Sequence, residues 1–236
     1  MKKAFTMAEV LITLGIIGVV VAMTLPAMIH KYDITATETR LKKFYSIFNQ
    51  ALLQSSVKNG PYESWQYWNH DITDEDGNKV NQQEANKNSF DIYLAPYLKV
   101  YKIEKLKYSS GEFAGDEFYM YYLADGSAFS FARHENRDLS FYPRNPEKCL
   151  DRQAKGESTL GVCSFSFSFY PMNSSGGWRY HYKKGLEPFL YNWDGNIESL
   201  YNDSERGCAL LGSYCTAIIQ RNGWKVPKDY PKRISY

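Results

Sequence analysis

From Val10 to Ile29 the chain carries no charged side chain over 20 residues. As an α-helix at ~1.5 Å per residue, that run is about 30 Å long, the thickness of a bilayer core. Lys2 and Lys3 precede it, and a single carboxylate, Glu9, sits at its edge. A secretory signal peptide has a shorter apolar core and is cut at a small residue that follows it. Here the small residue, Ala4, comes before the run. A cut at that point removes only the basic leader and leaves the helix in place. The two lysines orient the helix with its N-terminus in the cytoplasm, which puts the rest of the chain outside.

The order Ala4-Phe5-Thr6-Met7-Ala8-Glu9, followed by Val10-Leu11-Ile12 and a Gly/Ile/Val run, resembles the cleavage and methylation motif of bacterial type IV prepilins and type II secretion pseudopilins. That family usually has Gly before the cut; Ala4 stands there in this chain and is nearly as small. The resemblance implies processing by a prepilin peptidase between Ala4 and Phe5, with N-methylation of the new Phe5 amine. It also implies other pilin or pseudopilin subunits and an inner-membrane assembly platform as partners. An ionised carboxylate in lipid costs about 2.5–3.5 kcal/mol at a helix centre on insertion scales. In the family the glutamate meets this cost by pairing with the α-amine of a neighbouring subunit, which makes Glu9 the expected assembly residue.

The expected organisation is a leader at 1–4, a transmembrane and filament-core helix at 5–29, and an amphipathic helix half at 30–59. An exported β-rich domain at 60–236 is long enough for one well-formed core. In the second helix half Leu41, Phe44, Tyr45, Phe48, Ala51 and Leu52 recur at three- and four-residue steps, with Arg40, Lys42, Lys43 and Gln50 on other faces. That stripe should pack on a sheet. Pro26 is the expected kink, Gly15 and Gly18 allow close helix approach, and Asn59-Gly60-Pro61 is a stop signal. The fold class expected is α+β and pilin-like: a long N-terminal helix on an antiparallel sheet, with a disulfide-stapled C-terminal region.

Beyond the helix, a short helix is expected at Asn88–Val100, capped by Ser89. Glu117–Leu123 and Ser127–Phe131 flank Asp125-Gly126, a strong hairpin signal. Ser164–Phe169 alternates Ser and Phe, which puts three Phe rings on one face. Trp178–Tyr182, Phe189–Tyr191 and Cys215–Gln220 are further strand candidates, and Trp224 is expected to pack the turn-rich tail on the domain. The 20 Tyr and 13 Phe suit strands and wet interfaces without naming a ligand.

All four cysteines, Cys149, Cys163, Cys208 and Cys215, lie in the exported part. An even count in an oxidising compartment reads as disulfides rather than as zinc, which favours a short Cys-x-x-Cys turn. Three pairings are possible, and the local ones, Cys149–Cys163 and Cys208–Cys215, are preferred. The net charge of +2 is matched by Lys2 and Lys3, so nothing indicates nucleic acid as a partner.

No phosphate loop, nucleophile elbow or metal-spaced histidine set is present in the sequence. Ser55-Ser56-Val57-Lys58 lacks the companion motifs of a catalytic Ser-x-x-Lys. Asp74, Asp76 and Asn78 partly match a calcium loop but lack its full ligand series; a tight turn at Gly77 is the preferred reading. Tyr62, Trp65, Tyr67 and Trp68 read as a clamp on the core sooner than as a sugar platform. The expectation is a non-enzymatic, cofactor-free subunit of a type IV pilus or of a type II secretion pseudopilus. It is a single-pass inner-membrane protein until it joins the filament. The alternative is a membrane-tethered extracytoplasmic glycan-binding or adhesion module.

Overall fold

A computed structural model describes residues 6–65, 77, 81–108, 115–131, 138–169 and 184–236. One helix, α1 (Met7–Asn59), takes up 53 residues, about 80 Å at the usual rise. It stops at Gly60, whose φ of +75° carries no cost without a Cβ. It runs unbroken through Pro26, which supplies no amide hydrogen to the carbonyl of Ala22.

Three short helical segments follow among the described residues: a 3-10 turn (Tyr62–Ser64), α2 (Gln82–Ser89) and a π-helical turn (Phe90–Leu94). The helix expected at Asn88–Val100 therefore starts and ends earlier. Its cap is Asn81, whose side chain accepts the Gln83 amide at 2.9 Å, and Ser89 is buried at the joint with the π turn. Val100 already belongs to a strand.

Among the described residues six strands form one antiparallel sheet in sequence order: β1 (Val100–Lys107), β2 (Glu117–Leu123), β3 (Ala128–Phe131), β4 (Asp138–Tyr142), β5 (Phe165–Phe169) and β6 (Leu186–Pro188). Helix α3 (Pro146–Ala154) joins β4 to β5, and α4 (Ile197–Asn202) and α5 (Cys215–Arg221) follow β6. The β2–β3 hairpin turns at Asp125-Gly126, with Gly126 at φ +78° and the Asp125 carboxylate holding the Ser127 amide and hydroxyl. Two strand expectations are corrected. Cys215–Gln220 is helical, and the last strand lies at Leu186–Pro188, before Phe189–Tyr191. Trp178–Tyr182 lies outside the described residues.

The stripe on α1 packs on one face of the sheet. Leu41, Phe44, Phe48, Ala51 and Leu52 are buried there. Phe44 stacks on Phe141 with centroids 4.3 Å apart and meets Phe129 and Phe167 at 5.3 Å each. Strand alternation supplies the partners: Phe165, Phe167 and Phe169 all join this core. The opposite face of the sheet is covered as well. Phe118, Met120 and Tyr122 of β2 pack there with Ala128, Tyr142 and the Cys149–Cys163 pair at α3. The result is a three-layer α/sheet/α domain, and burial on both faces explains why β2 reads as almost continuously apolar.

Both disulfides join the expected partners, Cys149 to Cys163 and Cys208 to Cys215. A loop of about 15 residues closed in this way contributes ~3 kcal/mol by the chain-entropy account. Trp224 packs the tail as expected, 5.0 Å from Tyr45 between ring centroids.

Candidate functional site

The two halves of α1 live in different surroundings. Every residue from Thr6 to Ile29 is exposed, including Leu11, Ile16, Val20 and Met23, whereas Asp33 onward is drawn into the domain. By length and composition, this is a helix able to cross a membrane. An added Cβ at Gly15 or Gly18 would meet nothing within 4 Å, so both glycines present bare backbone to an incoming helix.

At the start of the helix, Thr6 and Glu9 form a capping box. The Glu9 amide donates to the Thr6 hydroxyl at 3.2 Å, and the Thr6 amide and hydroxyl each donate to the Glu9 carboxylate at 2.8 Å. This satisfies helix-end donors that would otherwise have no partner within the helix. Glu9 is exposed and stands beside the apolar run. Ala4 and Phe5, the expected processing residues, lie outside the described residues, as do Asp74, Asp76 and Asn78.

Where α1 enters the domain, a set of polar contacts fixes it. Asp33 is buried and pairs with Arg144. The Arg144 guanidinium also lies 4.8 Å over the Tyr32 ring and 5.4 Å over the Tyr236 ring. One turn on, the buried Thr37 shares a 2.5 Å hydrogen bond with the Tyr236 hydroxyl. Burial pushes the Tyr236 phenol upward, so it remains a neutral donor. Glu38 accepts from Lys225 Nζ at 2.7 Å and from the Val226 amide at 2.9 Å. Arg40 donates to the carbonyls of Pro143 and Asp125, at 2.6 and 2.5 Å. Lys43 reaches the Asp125 carboxylate at 2.7 Å. Burial pushes Asp125 up, but the bonds from Lys43 and Ser127 outweigh it and hold the group below its ordinary value. Farther along, the Asn49 side chain bonds both the amide and the carbonyl of Leu186, taking up backbone groups of the edge strand β6.

These neck residues were not legible from sequence. Arg40 reads as part of the polar back of a helix, and Asp33 and Glu38 carry no signal of their own. Their partners lie 85 to 188 residues away, and no local spacing announces them. The only local hint is that Asp33 and Glu38 lie close to the face of the Leu41/Phe44 stripe.

Elsewhere, among the described residues, the surface carries open hollows. One, about 430 Å³, lies between α1 and the tail, against Lys42, Lys43, Trp224 and Lys225. Another, about 250 Å³, is lined by Asn196, Glu198, Ser199, Asn202 and Asp203. Among the described residues no group of three or more His, Cys, Asp or Glu side chains is placed to hold a metal ion. Tyr62 and Trp65 point inward. Trp65 stacks on Tyr93 at 4.4 Å and Tyr62 meets Phe169, so these two rings clamp the chain to the core; Tyr67 and Trp68 lie outside the described residues.

The fold and its exposed helix define a class: an α+β domain carried on a long helix whose first half is apolar and uncovered. The chain belongs to a family of unknown function (DUF6613), whose model matches residues 27–234, the second half of α1 and the globular domain. No curated protein and no solved structure matches the chain.

Proposed function

We propose that this protein is a pilin-like structural subunit of a type IV pilus or type II secretion pseudopilus. A prepilin peptidase trims it after Ala4, and it assembles through α1. The observation that carries this reading is the division of one continuous helix. Val10–Ile29 is apolar and exposed on every side, while Asp33–Ser55 is locked into a disulfide-bonded domain. A helix apolar all round is a helix surrounded by lipid or by other helices. The first surrounding serves the subunit before assembly, and the second serves it in a filament. Exchanging one for the other keeps the apolar area dry throughout.

In this reading Glu9 sets the axial register. Its carboxylate already lies beside the start of the helix, held by Thr6. After cleavage, the α-amine on Phe5 of a neighbouring copy supplies the cation that a carboxylate in an apolar medium requires. The domain then coats the filament. Tyr62 and Trp65 are consumed in packing, so neither supports a sugar platform.

Mass spectrometry of the N-terminus tests the proposal directly. Co-expressed with an active prepilin peptidase, the chain should begin at Phe5 and carry N-methylation. An intact Met1 under those conditions would sink the proposal.

A further inference from the structure

Ile29 ends the apolar run, and Asp33 is the first buried residue of α1, four positions later in the same unbroken helix. Those four residues rise about 6 Å. The polar layer on each side of a bilayer core is roughly 5–8 Å deep. No linker intervenes, so with Val10–Ile29 in the hydrocarbon the near rim of the domain stands at headgroup level. This inference rests on the membrane-anchored state in the reading above.

The contacts of α1 identify that rim. Among the described residues, the ion pair and ring contact of Arg144 with Asp33 and Tyr32 join the domain to α1 close to the end of the span. The hydrogen bonds of Thr37 with Tyr236 and of Arg40 with the Pro143 carbonyl lie about one and two turns farther away. Lys31 is exposed beside them, and Tyr32 is 59% exposed. The chemistry of this set is that of an interface. A tyrosine ring has an apolar body and a wet tip, and Lys and Arg cations attract phosphate. The carboxylate of this set, Asp33, is buried against Arg144 and offers little repulsion to an approaching anion. The Asp33 pair uses the Arg144 Nη1 donor, one of five that a guanidinium carries.

We propose that Lys31, Tyr32 and Arg144 form a docking surface for anionic phospholipid headgroups, which seats the domain on the outer face of the membrane until the subunit is extracted. Leaving the membrane then breaks lipid–protein ion contacts as well as moving the apolar helix. The anionic lipid content becomes a control on how readily subunits enter a filament.

The test uses the full chain reconstituted into vesicles of phosphatidylcholine alone, or of phosphatidylcholine with phosphatidylglycerol. Each carries a trace of phospholipid with a photoreactive headgroup. Vesicles are washed in alkaline carbonate, irradiated, and the cross-links mapped by peptide mass spectrometry. The expected result is retention through the wash, with cross-links at residues 31–32 and at Arg144 enriched several-fold by phosphatidylglycerol. Lys31→Gln should lower that enrichment by about five-fold, the effect of one cation at an anionic surface. Arg144→Lys, which keeps the charge, should retain most of it. Salt near 1 M should remove the enrichment, because the screening length falls to about 3 Å. Equal labelling in both vesicle types, or labelling elsewhere on a retained chain, overturns the docking surface and leaves the span intact. Release by carbonate overturns the span, and the docking surface with it.

Discussion

The hydroxyls of Thr37 and Tyr236, 199 residues apart, meet at 2.5 Å. The donor is settled by a second bond: Thr37 gives its hydrogen to the Asp33 carbonyl at 2.8 Å, so Tyr236 donates. Thr37 is fully buried, and no water replaces a lost donor there without cost. Tyr236→Phe should therefore destabilise the domain by about 1–2 kcal/mol. Urea unfolding of the detergent-solubilised chain, followed by aromatic fluorescence, reads this as a lower midpoint at constant slope. An unchanged midpoint would show that the ring alone, without its hydroxyl, docks the tail.

Asp33 and Arg144 behave differently when separated than when removed together. Arg144→Ala leaves a carboxylate buried without its cation and should cost about 2–4 kcal/mol. Adding Asp33→Ala removes the stranded charge and should recover a substantial part of that loss. A double-mutant cycle measures the coupling. Additive losses would mean that the two residues act independently at the neck.

Glu187 gives the fold an unusual pH dependence. It lies on β6, where the Tyr45 hydroxyl donates to it at 3.2 Å. Burial pushes its carboxyl above the ordinary value; bonds from Tyr45 and Gln220 and the charge of Lys184 oppose that less strongly. The folded state thus holds the proton more tightly than the unfolded chain. Its contribution is fully present below the unfolded pKa and is lost as pH rises through the folded one. Glu187→Gln mimics the protonated side chain. It should raise the melting temperature at neutral pH, with the difference closing as pH falls through the ordinary carboxylate range. Glu84, Glu117 and Asp125 are lowered instead, by Tyr119, by Lys105, and by Lys43 with Ser127. Their contributions are lost at the acid end in both variants, so the comparison isolates Glu187. A constant difference across pH would contradict the assignment.

Gly161 supports the second disulfide by having no side chain. Its φ is +75°, and a Cβ built there would stand 2.3 Å from Cys215 Sγ. Gly161→Ala combines backbone strain with a clash against a cross-linked atom that cannot swing away. The loss should exceed about 2 kcal/mol, and the variant should show free Cys208 and Cys215 thiols on alkylation. Ala at Gly156, also at positive φ but with nothing within 4 Å, should cost only the smaller strain term.

What the sequence showed and what it hid divide along physical lines. The β2–β3 hairpin was legible because Asp125-Gly126 demands a turn whatever surrounds it. The α1 stripe was legible because its period is local. Cys215–Gln220 reads as a strand because Thr216, Ile218 and Ile219 are β-branched. All of Cys215–Ile219 is buried, however, so the segment shows no alternation, and tertiary packing makes it helical. β1 gives no strand signal because Lys102, Lys105 and Lys107 make it look solvated. They mark a charged sheet edge, which protects an unpaired strand from association. The neck was hidden because Asp33–Arg144 and Thr37–Tyr236 exist only once the chain has closed on itself.

The last prediction separates folding from assembly at Glu9. Its described partner is Thr6, in an exposed capping box confined to the first turn of the helix. The domain begins at Asp33, 24 residues along α1, or about 36 Å away, and no contact of Glu9 reaches it. Glu9→Ala should therefore leave domain melting, disulfide formation and leader cleavage unchanged. In the proposed filament it removes the one carboxylate able to meet a neighbour's α-amine, so subunits should accumulate in the membrane and filaments should be lost. Glu9→Asp keeps the charge on a shorter arm and should assemble partially. Filament yield by electron microscopy, set against membrane-fraction levels of the same variants, checks both expectations. Normal filaments from Glu9→Ala would remove the register role and leave apolar packing of α1 to set the axial spacing.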